Sequence, residues 1–578
     1  METKTELKEE KKTETPQNIK GSEAVILSLL NEGVDTIFGY PGGAIMPIYD
    51  ALFDYQEKIK HILVRHEQGA THMAQGYSKA SGKVGVVFAT SGPGATNLIT
   101  GIANAKIDSI PIVCITGQVP SHLLGFDAFQ ETDVVGISMP VTKWNYQITK
   151  AKEIPEVMAK AFYIANSGRP GPVLIDITKD AQNQLIDYQY KKIKQLSGYF
   201  PNPKTNPDRI REAANLINNA KKPFILAGHG ISIASAEDEL LAFVDKTGIP
   251  VGCTLWGLSS FPTKHPLYVG MLGMHGNYAP NIQTNEADLI IAIGMRFDDR
   301  VTGDTSRYAV KAKVIHIEID QAEIDKNIKT DVAIISDAKK ALQQLIPLVK
   351  TTSHNEWIEE FKKLEAIEFD KIIHKDIHPK TGEIKMAEAV HQVSESSKGE
   401  AIVVTDVGQH QMMAARYYQF AKTKSMITSG GLGTMGFGVP AAFGAAMGQN
   451  KRPVVVFVGD GGIQMTIQEL ATIWQHNKPV KIVLLNNGFL GMVRQWQQLF
   501  HERRYSFTTL TNPDFQMVAK GNGIESVKID KREDLKKAIE TMFNFDGPYL
   551  LEIIVEQEDN VFPMVPAGAS VSDIILEP

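Results

Sequence analysis

Apolar β-branched runs alternate with amphipathic segments along most of the chain, and the runs end in glycine, asparagine or a charged residue. In a first block, from about Gly21 to about Leu185, this pattern predicts helices over residues 22–32, 68–80 and 96–105. It predicts strands over 36–38, 59–65, 84–90 and 111–116, with a loop over 39–43. A second block, about 205–345, has strand signals at 223–227, 289–293 and 314–319. The third block, about 380–560, holds a strand from Val454 to Gly459 and another from Val480 to Leu485. Between them lies a helix expected to turn Ile467, Leu470, Ala471 and Trp474 to one side. A strand–helix–strand unit of this kind makes its strands parallel, with the helix crossing one face. The fold class expected is therefore α/β, with three doubly wound parallel-sheet domains. The first, over 20–190, and the third, over 380–560, share a size and a style, which reads as a related pair flanking a different middle domain. Proline-rich 197–207 reads as a linker, 351–385 as a polar connecting stretch, and 561–578 as a tail over the surface.

A chain of 578 residues is too long for one core, which agrees with that division. At 43% apolar and 22% charged residues the composition is that of an ordinary globular protein. A net charge of −6 gives no electrostatic case for nucleic acid or a membrane surface. The apolar runs have strand length, so no membrane span is expected. Cys114 and Cys253 sit far apart in apolar runs and read as reduced core residues. Residues 1–19, charged throughout, read as a disordered tail. They lack both the apolar core of a secretory signal and the arginines of a transit peptide, so a cytoplasmic location is expected.

Candidate chemistry concentrates in the third block. Asp460 follows one parallel strand and Asn487 the next, so both emerge at the carboxyl edge, where open α/β sheets bind ligands. One carboxylate, one amide oxygen and a nearby backbone carbonyl form a hard oxygen site suited to Mg²⁺ shared with phosphate oxygens. Gly459, Gly461 and Gly462 let a diphosphate approach the backbone at a helix N-terminus. A plain tight turn would also explain Gly-Asp-Gly. Gly-Asp-Gly with Asn-Asn at this spacing resembles the cofactor motif of thiamine-diphosphate (ThDP) enzymes. Such chemistry also needs a carboxyl to protonate the aminopyrimidine and a bulky residue to bend the cofactor. Glu67, in Arg65-His66-Glu67-Gln68-Gly69-Ala70, resembles the activating glutamate of those enzymes. Met435, in the glycine-dense segment Gly430–Pro440, resembles the bending residue, and Val407-Gly408-Gln409-His410 resembles the diphosphate-side loop.

Further segments narrow the resemblance. Phe38-Gly-Tyr-Pro-Gly-Gly43, Ser91-Gly-Pro-Gly-Ala-Thr-Asn97, Asp127-Ala-Phe-Gln-Glu131, Ser167-Gly-Arg-Pro-Gly-Pro172, Gly270-Met-Leu-Gly-Met-His-Gly276, Arg296-Phe-Asp-Asp-Arg300 and Gly491-Met-Val-Arg-Gln-Trp496 together resemble the catalytic large subunits of the acetohydroxyacid synthase family, the biosynthetic acetolactate synthases. The resemblance covers essentially the whole chain after the tail. It implies decarboxylation of pyruvate and transfer of the two-carbon unit to pyruvate or 2-ketobutyrate, the opening of valine, leucine and isoleucine synthesis. It places Tyr40, Gly43 and Gln130 near thiamine and substrate, and Asp460, Asn487 and the Phe489 carbonyl on Mg²⁺. Met492 and Val493 fall against the cofactor, Arg300 on the acceptor carboxylate, Trp496 as the acceptor wall and Lys179 at the channel entrance. Position alone would make Lys179 a solvated lysine and Trp496 a core tryptophan. The family's structural FAD would lie against Arg169, Met274, His275, Arg296, Asp298, Arg300, Glu318 and Ile319; no GxGxxG fingerprint marks that site. The partners implied are a second copy, as homodimer or tetramer, and a small regulatory subunit. Phe126, Trp256 and Thr178 depart from the residues more usual in the family. A flavin- and ThDP-dependent pyruvate oxidase and a non-catalytic homologue are the alternatives.

Overall fold

The computed structural model describes residues 18–577. Most of the tail expected over 1–19 lies outside them. Ile19, however, is not tail: Ile19–Lys20 pairs antiparallel with Leu185–Ile186, and Ile19 is buried.

Three six-stranded sheets carry the fold. The first contains β1 (Thr36–Gly39), β2 (Lys60–Leu63), β3 (Gly85–Ala89), β4 (Ile112–Gln118), β5 (Trp144–Ile148) and β6 (Val173–Thr178). The second contains β7 (Pro223–Ala227), β8 (Val251–Cys253), β9 (Tyr268–Met271), β10 (Leu289–Ile293), β11 (Lys313–Glu318) and β12 (Val332–Ile335). The third contains β13 (Ile402–Thr405), β14 (Met426–Ile427), β15 (Val454–Gly459), β16 (Val480–Asn486), β17 (Glu525–Ile529) and β18 (Tyr549–Ile554). The orders are β2-β1-β3-β4-β6-β5, then β9-β8-β7-β10-β11-β12, then β14-β13-β15-β16-β18-β17, all parallel. The first and third sheets thus repeat one winding. The middle sheet has the order of dinucleotide-binding folds, with a switch point between β7 and β10. The α/β class read from the sequence is present, and the two outer sheets share one strand order.

Strands buried on both faces explain the near-continuous apolar runs. Helix Glu67–Ser81 packs on helix Gly438–Gly448 so closely that a Cβ on Gly76 would overlap the Ala441 carbonyl, and one on Gly444 the Met73 carbonyl. This contact joins the first and third sheets into one apolar cluster, which includes Ile62 and Val87 from one and Val404 and Leu484 from the other. Cys114 and Cys253 are both buried and free.

Several elements differ from the pattern-based reading. The segment after β15 is two helices, Asp460–Met465 and Glu469–Gln475, broken at Thr466. The break resets the helical phase. Leu470 and Ile473 are buried, whereas Trp474, expected inside, is 56% exposed. The helix expected over 96–105 is likewise split into Pro93–Asn97 and Ile99–Ile107. The polar stretch 351–385 contains helix Asn355–Glu368, whose Trp357 and Phe361, four apart, face the middle core. Residues 561–577 are packed in rather than draped: Phe562, Met564 and Val571 are buried, and the Val565 N–H donates to the Met274 carbonyl at 2.8 Å.

Candidate active site

β15 and β16 run in register, Gly459 opposite Leu485, so Asp460 and Asn487 emerge side by side. Asp460 opens a helix and is buried; burial pushes its carboxyl up to about 6, against hydrogen bonds that include Asn512 Nδ2 at 2.7 Å. Asn487, also buried, donates to Gln409 Oε1 at 3.3 Å and accepts from the Phe489 N–H at 3.2 Å. A cleft opens here. Val407, Gly408, Gln409, His410, Met435, Gly459, Asp460, Gly461, Gly462, Asn487, Phe489, Met492 and Val493, all singled out in the sequence, line it together. Met386, Leu485 and Leu490 line it too without having been singled out in the sequence, as does Gly491, which opens the segment ending at Trp496.

The glycines lie close under neighbouring side chains. A Cβ on Gly459 would lie 2.9 Å from His410 Nδ1, and one on Gly461 2.6 Å from Leu490 Cδ2. His410 is buried, held neutral by desolvation with its pKa lowered to about 3, and its Nε2 has no partner within the protein. An orphaned ring nitrogen beside a glycine cradle fits a diphosphate oxygen. The hard oxygens of Asp460 and Asn487 fit Mg²⁺. Asp406, which sequence reasoning passed over, organises the loop behind this cleft. Its carboxylate accepts from the N–H groups of Val407, Gly436 and Gly438 at 2.8, 3.0 and 2.8 Å. A polar residue directly after an apolar strand was the available signal.

The residues predicted in the first block lie on its carboxyl edge: Tyr40 after β1, Glu67 after β2, Gln130 in the loop after β4 and Lys179 after β6. Glu67 is half-buried and accepts from Asn97 Nδ2 at 2.9 Å. Tyr40 and Lys179 are exposed, and Gln130, at φ +59°, lies over Gly92. The space a Gly43 side chain would fill is open. None of these residues is among those lining the Asp460 cleft, whose lining runs only from Met386 to Val493. Trp496, half-buried on helix Gly491–Phe500, packs on Phe500 with ring centroids 5.3 Å apart and is not part of the cleft lining.

A larger cavity of about 530 Å³ opens at the switch point of the middle sheet. Arg169, Met274, His275, Arg296, Asp298, Arg300, Glu318 and Ile319, the positions grouped in the sequence analysis, all line it. Glu318 ends β11; burial raises its carboxyl to about 7, while the Ile319 and Asp320 N–H groups and Arg169 oppose the shift. His275 is buried with Nδ1 unpartnered. Shape, switch-point placement and unmatched polar atoms fit a dinucleotide such as FAD. The sequence clue missed was Gly228-His229-Gly230 after β7, where a Cβ on Gly230 would sit 2.6 Å from Gly294 Cα at the end of β10.

Trp256, one of the departures, also lines this cavity. Its ring stacks on His229 at 4.4 Å and its Nε1–H donates to Asp108 at 2.9 Å. Asp108 also accepts from the Gly430 and Gly431 N–H groups, so the middle-sheet cavity and the loop leading to Met435 share one buried carboxylate. Phe126, another departure, is exposed near Gln130; Thr178 is buried at the end of β6.

Comparison with known proteins agrees with this geometry. Models of the thiamine pyrophosphate enzyme N-terminal TPP binding domain, central domain and C-terminal TPP binding domain match residues 19–137, 210–345 and 406–553. An acetolactate synthase large subunit from Lactococcus lactis is 46% identical over 98% of this chain and 97% of its own length. The chain belongs to the acetolactate synthase large-subunit family. A second member, the isozyme 2 large subunit of Escherichia coli, is 45% identical over 96% of this chain and 99% of its own length. Chloroplastic acetolactate synthase 2 of Nicotiana tabacum is 44% identical over 96% of this chain and 85% of its own length. The family is one of ThDP-dependent enzymes. No helix among the described residues is long and apolar enough to cross a membrane.

Proposed function

We propose that this chain decarboxylates pyruvate and joins the two-carbon unit to a second 2-ketoacid, pyruvate or 2-ketobutyrate, giving 2-acetolactate or 2-aceto-2-hydroxybutyrate. The observation that carries this reading is the cleft in which Asp460 and Asn487 meet beneath the glycine cradle. Thiamine diphosphate, when bound, supplies the electron sink for loss of CO₂. Asp460, Asn487 and the Phe489 carbonyl hold Mg²⁺ against the diphosphate, which Gly408, Gln409, His410, Gly459, Gly461 and Gly462 surround. Met435, Met492 and Val493 form its apolar support, and Tyr40, Gly43 and Gln130 its substrate side. Glu67 holds a proton toward the aminopyrimidine ring.

Arg300 projects with an exposed guanidinium whose fork suits a carboxylate of the acceptor ketoacid. Trp496 walls the acceptor's alkyl group, and Lys179 stands at the entrance. Arg169, Met274, His275, Arg296, Asp298, Arg300, Glu318 and Ile319, which line the middle-sheet cavity, would hold FAD there as a structural group. The working unit is at least a dimer, because Glu67 and Asp460 belong to different sheets and the Asp460 cleft has no lining from the first. A small regulatory subunit is a further partner.

Product analysis tests the reading. With pyruvate, 2-ketobutyrate, ThDP and Mg²⁺, the purified chain should form both acetohydroxyacids without stoichiometric peroxide. Peroxide and acetyl products without carboligation would assign an oxidase instead.

A further inference from the structure

Glu469 is a fully buried carboxylate that no motif explains. It begins helix Glu469–Gln475 of the third sheet's unit, nine residues after Asp460, and reaches across to the first. Its Oε1 accepts from the Arg65 backbone N–H at 3.0 Å and its Oε2 from Thr472 Oγ1 at 2.7 Å. The Arg65 guanidinium turns away, to the Leu63 carbonyl and Gln475 Oε1, each at 2.8 Å. Burial pushes the Glu469 carboxyl up; Thr472 and the Arg65 and His66 backbone groups oppose it. Taking a carboxylate out of water without close ion pairing is costly unless hydrogen bonds compensate. Here the compensating donors include the turn between β2 and helix Glu67–Ser81.

That turn aims Glu67. His66 caps the helix, accepting from the Gln68 N–H at 3.1 Å, and Glu67 is the first helical residue. Asn97 steadies the Glu67 side chain, but the backbone two residues upstream is held by Glu469. Gly69 completes the fit: a Cβ there would lie 2.6 Å from Glu469 Oε1, so the carboxylate occupies the space a side chain would need.

We propose that Glu469 is a positioning residue that fixes the Arg65–His66–Glu67 turn and so the direction in which the Glu67 carboxyl is presented. The proposal rests on the reading of Glu67 as the proton-holding group. It makes each chain's diphosphate-binding unit the support for that chain's own Glu67, whichever chain's cofactor Glu67 addresses.

The test uses the full-length protein with Glu469→Ala, Glu469→Gln, Gly69→Ala and, as reference, Glu67→Gln. In the cofactor-free protein, amide exchange of the peptide spanning residues 62–70 should be faster in Glu469→Ala. With ThDP and Mg²⁺ bound, proton exchange at the thiazolium C2 should slow by roughly 10–100-fold in Glu469→Ala, the scale of a mis-set catalytic group. It should slow by roughly threefold in Glu469→Gln, which keeps one acceptor oxygen, and also in Gly69→Ala, which pushes the carboxylate. ThDP affinity should stay within about threefold of wild type, since no diphosphate contact changes. C2 exchange within twofold of wild type in Glu469→Gln and Gly69→Ala overturns the proposal, and these two decide the matter if Glu469→Ala does not fold. If Glu67→Gln also leaves C2 exchange unchanged, the reading of Glu67 has failed instead.

Discussion

Two carboxylates at the ends of elements, Glu67 and Asp108, occupy opposite environments. Glu67 is half-open, with one amide donor, an environment that suits the proton-holding role proposed for it. Glu67→Gln keeps shape and removes that proton; turnover should fall roughly 10²–10⁴-fold, measured as acetolactate formation under saturating ThDP. Asp108 is instead buried among the Trp256 Nε1–H and two glycine N–H groups, and burial raises its carboxyl from 3.8 to about 6. A folded-state pKa above the unfolded value means the folded protein binds the proton more tightly. Stability therefore falls as pH rises from about 4 to about 6, by a few kcal/mol in order of magnitude. In Asp108→Asn the slope of unfolding free energy against pH across that window should shrink by about one proton, read from urea titrations. Trp496→Leu should lower the ratio of 2-aceto-2-hydroxybutyrate to acetolactate, since one methylene in a fitted pocket is worth about 10–200-fold. Pyruvate decarboxylation should stay largely intact, and an unchanged ratio would make Trp496 a packing residue only. Asp460, Asn487 and Glu67 were legible because each follows an apolar run within a recognisable segment. Glu469 was not, because the group it serves lies 404 residues away, and no local pattern announces such a partner.

At the scale of elements, the tightest seam is helix Glu67–Ser81 on helix Gly438–Gly448, where glycines replace side chains on both partners. Gly76→Ala would drive a methyl into the Ala441 carbonyl, and neither backbone can retreat without moving a sheet. Overpacking of this kind costs about 1–3 kcal/mol or more, so the thermal midpoint should drop, and Gly444→Ala should do the same from the other side. Gly43→Ala, where the space is open, is the control expected to fold normally. Long β-branched strands such as β10, β15 and β16 were readable from their runs alone. β8 and β9 were not: each is short and carries a glycine in Val251–Cys253 or Tyr268–Met271, which weakens a strand signal. Trp474 misled because the break at Thr466 is set by a tertiary bond, Thr466 Oγ1 to the Gly436 carbonyl at 2.9 Å, that periodicity cannot show. The middle-sheet cavity could not be derived from local pattern for a related reason, since a switch point exists only once strand order is known.

For the whole molecule the decisive question is which chain's Glu67 meets which chain's Asp460. Within one chain the two residues are held by different sheets, and the Asp460 cleft draws its lining from Met386 to Val493 only. The helix seam and the Glu469 contact also fix the first and third sheets to each other, so the chain cannot readily fold Glu67 over its own cleft. In the dimer proposed above, a second copy related by a twofold axis would bring the missing edge without distorting either, the usual solution for a self-complementary surface. Glu67→Gln and Asp460→Ala homodimers should then each be nearly inactive. Mixed and allowed to re-equilibrate, half the dimers become heterodimers, each with one site carrying both substitutions and one carrying neither. About a quarter of wild-type activity should return, the fraction expected from random pairing of two equivalent sites. Native mass spectrometry would count the heterodimers while acetolactate formation is assayed on the same sample. Activity that stays at the homodimer level despite abundant heterodimers would mean that each chain builds its site alone.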